Sequence, residues 1–97
     1  MSTQDLQVQL EQLHELLRFL DQFKETMDQC IAEYRQRIQQ MQENGLTVQV
    51  ANRFEVEHIG DVNYFIQQAK SHIDEKSIPF TRQNIQLTED LIRLNQD

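Results

Sequence analysis

Between Leu6 and Met41 this chain repeats its apolar residues every seven positions without a miss: Leu6, Leu13, Leu20, Met27, Tyr34 and Met41. A second series, Leu10, Leu17, Lys24, Ile31 and Ile38, follows the first at four residues' distance. Spacings of three and four return to one face of an α-helix, so the two series are the d and a positions of a heptad pattern. Lys24 is its single polar break. Thr3 or Asp5 can cap the start, and Asn44-Gly45 is a strong stop signal. The pattern therefore predicts a helix over about residues 4–44, roughly 60 Å long at 1.5 Å per residue. A helix of that length cannot be wrapped by a small globule and needs an equally long partner.

The partner lies in the second half. Ile66, Ile73, Phe80, Leu87 and Leu94 are again seven apart, with Val62 and Ala69 completing the early pattern. Leu91 and the series Ile78, Ile85, Ile92 widen the stripe later. Asp61, after Gly60, can cap a helix over about residues 61–95. Pro79 removes a backbone donor, so either a kink or a break is expected near it. The heptad stays in phase across the proline, which favours one kinked helix over two. The expected fold is all-α: a single domain over residues 1–97, built as an antiparallel helical hairpin with coiled-coil-like heptads.

Between the helices, residues 45–60 change character. Val48, Val50, Phe54 and Val56 alternate with polar residues, and folding the segment about Asn52 pairs Val50 with Phe54 and Val48 with Val56. A short β-hairpin ribbon is the favoured expectation; an irregular loop, or an early start of the second helix near Val50, is the alternative. An isolated ribbon is marginal in water and would need another surface to cover it.

The first helix is also too apolar for a two-stranded seam. Leu16, Phe23 and Cys30 fall at g positions, which a simple pair keeps polar, and Phe19 adds a further ring. At least three helices should therefore meet around residues 16–31. A hairpin supplies two, and a second chain supplies the rest. Leu16, Phe19, Phe23, Cys30 and Ile31 form the expected intermolecular seam, completing a bundle by oligomerisation, as a homodimer or with another protein's helices.

Composition narrows the function classes. The net charge is −7, with no basic cluster, so nucleic acid and anionic membrane surfaces are poor partners. Sixteen Gln, ten of them between residues 4 and 42, serve as uncharged surface helix formers. The one cysteine cannot form an intrachain disulfide, which fits a reducing cytoplasm. The start MSTQDLQVQL has no apolar core of a secretory leader, although export without a cleavable signal stays open. His58, Glu57 and Asp61 share no metal-ligand spacing, and Cys30 has no histidine within a helical turn. Phosphate loops, zinc motifs and nucleophile elbows are absent. No cofactor and no catalytic residue is expected, and the chain reads as a non-catalytic interaction or adaptor protein.

Two families share the outline. Helix, ribbon and helix, carried by VQVANRFEVEHIG, resembles β-type prefoldin subunits. That resemblance implies assembly through the ribbons and holding of unfolded clients at helix tips, here around Leu6, Val8, Leu10, Leu91 and Leu94. The length and the hairpin outline, with Asn44-Gly45 at the turn of a chain that has no Trp, resemble the WXG100 type. That second resemblance implies a secretion-system partner or a dimeric export substrate.

Overall fold

The structure, a computed structural model, describes residues 2–96. It is a helical hairpin, with no strand among the described residues. Helix α1 spans Thr3–Glu43. The second helix, α2, runs without interruption over residues 48–96 and contains two π-helical turns, Glu55–Ile59 and Ile73–Ser77.

The turn between them is short because both ends are fully capped. The Gly45 amide donates to the Gln42 carbonyl, and the Leu46 amide reaches back to Met41 at 2.9 Å. This pair of bonds is a Schellman motif, and it requires positive φ at its pivot; Gly45 sits at φ +120°. Two residues on, the Thr47 backbone is extended and its hydroxyl accepts from the Val50 amide at 3.3 Å. The first α-helical bond follows at once, from the Ala51 amide to the Thr47 carbonyl.

That cap overturns the ribbon. Val48, Val50, Phe54 and Val56 are helical, so they stand around a cylinder rather than along one face of a strand pair. The period-2 alternation is real in the sequence but is outweighed by the Thr47 cap and by Ala51 and Ile59, which are buried. The second helix accordingly begins thirteen residues before Asp61, which lies inside it, and it passes through Gly60 without a break. The prefoldin-like outline loses the ribbon that carried it.

Pro79 does not break α2. Immediately before it, the Ile78 amide bonds to the Ile73 carbonyl, five residues back. A regular turn would set the proline ring against the Glu75 carbonyl. The wider turn moves that carbonyl aside, which is how a helix passes a proline without ending.

The chain forms two compact units. One holds residues 24–71. There Asp28 pairs with Lys70, and Arg35 with Glu55, so rising numbers on α1 meet falling numbers on α2. Its core is thin, made of Ile31, Ala51 and Ile59 with half-buried Met27, Tyr34, Ile38 and Ile66. The other unit holds residues 2–23 with 72–96. Leu6, Ile73, Ile78, Thr81, Ile85 and Thr88 are buried there, flanked by half-buried Leu10, Leu13, Leu17, Leu20 and Ile92.

Along α1 the inward residues are those of the two heptad series, Lys24 included, up to Ile38. Along α2 they are not. A π-turn inserts one residue, so the inward series steps by five there, from Phe54 to Ile59 and from Ile73 to Ile78. Beyond the second step the buried line is Ile78, Thr81, Ile85 and Thr88, with Ile92 half-buried. The unbroken heptad from Ile73 had placed Phe80, Leu87 and Leu94 at the core. The inserted residue rotates them outward: Ile85 is 8% exposed and Leu87 is 53% exposed.

Candidate interaction site

The buried threonines show how the unit of residues 2–23 and 72–96 accommodates polar groups in its seam. Thr81 donates to the Ser77 carbonyl at 2.8 Å, and Thr88 to the Asn84 carbonyl at 2.7 Å. Each hydroxyl is thus satisfied within its own helix. Thr88 also accepts from the Gln9 amide at 2.9 Å, a side-chain hydrogen bond that ties α1 to α2 in this unit. It fixes the register.

That bond also identifies one flank of the helix pair. Steps of seven from Gln9 reach Leu16 and Phe23, and Phe19 lies between them on the same side. On α2, Phe80, Asn84, Leu87, Leu91 and Leu94 recur at three and four residues, one line to the side of the buried threonines and isoleucines. In an antiparallel pair, like flanks of the two helices lie side by side. The opposite flank is a groove lined by Gln7, Leu10, Gln86, Glu89, Ile92 and Arg93.

The result is a strip of seven large apolar side chains within this unit, Leu16, Phe19, Phe23, Phe80, Leu87, Leu91 and Leu94, each between 41% and 71% exposed. Phe19 and Phe23 stack at 5.7 Å between ring centroids, with planes 16° apart. Stacking of this kind holds the two rings as a preformed aromatic plate. Single exposed apolar residues are ordinary, but seven large ones along one flank of a helix pair are not.

Of the residues expected at the seam, Leu16, Phe19 and Phe23 lie on this strip. Cys30 is exposed in the other unit. Ile31 is corrected: it is 6% exposed and buried inside the unit of residues 24–71, because it occupies an a position of the intramolecular stripe. It has no surface to offer another chain. The half of the strip contributed by α2 was hidden, since Phe80, Leu87 and Leu94 read as core. The rival series Ile78, Ile85, Ile92 and the nearby proline were the signals that could have revealed it.

In the unit of residues 24–71, Val48, Val50 and Val56 stand exposed on the first turns of α2, and Phe54 packs its ring 5.5 Å from His58. Electrostatics is confined to the surface. The Lys70 ammonium hydrogen-bonds Asp28 at 2.6 and 2.8 Å and holds its carboxyl below the usual aspartate range. Arg35 pairs with Glu55 at 3.0 Å. Among the described residues no three His, Cys, Asp or Glu side chains converge as metal ligands, and no helix is long and apolar enough to cross a membrane.

Comparison of the chain with protein-family models, with curated proteins and with solved structures returns no significant match.

Proposed function

We propose that this protein is a non-catalytic interaction module that docks α-helices against the strip Leu16–Phe19–Phe23 and Phe80–Leu87–Leu91–Leu94. The observation that carries this reading is the strip itself. A helix pair that buries one side of each helix leaves a second line of large apolar side chains in water. Exposed apolar area of this extent costs free energy until another surface covers it. Regularly spaced leucines with aromatic anchors match the face of an amphipathic helix.

A photoreactive residue installed at Phe80 tests the reading. Within cells expressing the protein, it captures protein at high yield, whereas the same residue at Arg82, off the strip, captures little. Equal yields at the two positions overturn it. A holdase role rests on the same exposed leucines but no longer on an assembly ribbon. It predicts that the purified chain suppresses aggregation of an unfolded client in proportion to its concentration.

A further inference from the structure

We propose that the occupant of the strip is the same strip of a second copy of this chain, related by a two-fold axis that runs along it. The inference rests on the interaction reading above and names its partner. Three observations on the same unit support it.

The first is charge. The chain carries −7, so most ways of bringing two copies together juxtapose like charges. The strip itself carries little charge: of the polar residues that share its line, Gln9, Gln12 and Asn84 are uncharged, and Asp5, one heptad before Gln12, is the single acid. The acidic residues nearest in sequence register, Glu15 and Asp90, fall on the outer edge of each helix. A partner of opposite charge would want a charged face, whereas a second acidic copy needs a neutral one.

The second is area. With about 200 Å² for a fully exposed large apolar side chain, the seven residues present roughly 750 Å². That exceeds the largest apolar patch of an ordinary monomer, about 300–600 Å². It matches the roughly 800 Å² that each partner buries in a standard stable interface.

The third is shape. On α1 the strip occupies residues 16–23, and on α2 residues 80–94. Because Gln9 lies beside Thr88, the α1 portion and most of the α2 portion stand at different heights along the pair, and Leu16 comes level with Phe80. The strip is therefore oblique to both helices. A two-fold axis along the oblique line maps the strip onto itself, so Phe23 meets Phe23 of the other copy and Leu94 meets Leu94. The two helix pairs then cross at an angle, as packed helices ordinarily do.

Sedimentation of the full chain over a dilution series is the first test, and it is expected to show a monomer–dimer equilibrium in the micromolar range. Phe19→Glu and Leu87→Glu should each weaken association roughly 30-fold or more while the helical circular dichroism is retained. In a Cys30→Ala background, Phe23→Cys and Leu94→Cys chains should each crosslink to themselves with a short bifunctional thiol reagent. A mixture of the two should give no mixed dimer. Mixed crosslinks, or a dimer that survives both glutamates, overturn the proposal. A wild-type chain that stays monomeric also overturns it; if the probe at Phe80 then still captures another protein selectively, the interaction reading stands without the second copy. A monomer with no selective capture removes both.

Discussion

Gln9 of α1 donates through its side-chain amide to the hydroxyl of Thr88 in α2, 2.9 Å away, and the Thr88 hydroxyl in turn donates a hydrogen bond to the Asn84 carbonyl. A buried threonine thereby sets the register of two otherwise apolar stripes. Replacing Thr88 with Val keeps its shape and removes both bonds. The loss should be about 1 kcal/mol, since exposed Gln9 can turn to water. Thr81→Val should cost less, because that hydroxyl bonds only within its own helix. Urea denaturation of the two variants side by side measures the difference.

The inserted residue at Ile73–Ser77 decides which half of α2 is core. Ile85→Ala should destabilise the fold by about 2–3 kcal/mol, and Leu87→Ala by less than about 0.5 kcal/mol. The comparison belongs in dilute samples, where association contributes nothing. An unbroken heptad would give the reverse order.

A π-turn is an insertion, so it should be removable. Deleting Val56 from Glu55–Ile59 shortens the inward step from five residues to four, which a regular helix accommodates, and Val56 is 76% exposed. The deletion should leave helical content and melting cooperativity intact. Deleting Gln68 from the regular stretch Gly60–His72 turns everything beyond it by about 100° relative to the core and should lower the melting temperature sharply. Thermal circular dichroism of both deletions is the measurement.

The two glycines should respond with opposite signs. Gly45→Ala forces a Cβ into a φ of +120° and should cost about 1 kcal/mol or more. Gly60 has helical dihedrals, and an added Cβ would meet only the Glu55 carbonyl, at 3.5 Å. Gly60→Ala should therefore stabilise α2 by about 0.5–1 kcal/mol. Equilibrium unfolding of each variant reads the sign directly.

Asp28 supplies a pH signature. Lys70 holds its carboxyl below the unfolded value, so the ionised form favours the folded chain. The contribution is complete above the ordinary aspartate range and is lost as pH falls through the lowered Asp28 value. Asp28→Asn should flatten that part of the acid unfolding curve and leave the neutral region nearly unchanged. Added salt should weaken the wild-type effect, because both groups are in contact with solvent.

For α1, the sequence by itself determined nearly everything. Its inward line from Leu6 to Ile38 is the heptad as written, and Asn44-Gly45 ends the helix where the stop signal stands. Leu16, Phe19 and Phe23 were legible as surplus to that line, because a period of three and four is a local property of one helix. Residues 45–60 and the core of α2 were decided only by the tertiary structure. Alternating Val48, Val50, Phe54 and Val56 suit a strand, but the Thr47 cap and the burial of Ala51 and Ile59 commit them to helix. Phe80, Leu87 and Leu94 share a strict spacing with Ile73, yet one residue inserted before Pro79 turns them to the surface. Where the insertion falls depends on whether an amide bonds four or five residues back. Packing of both flanking stretches against α1 settles that choice, which a periodicity summed along one chain cannot register.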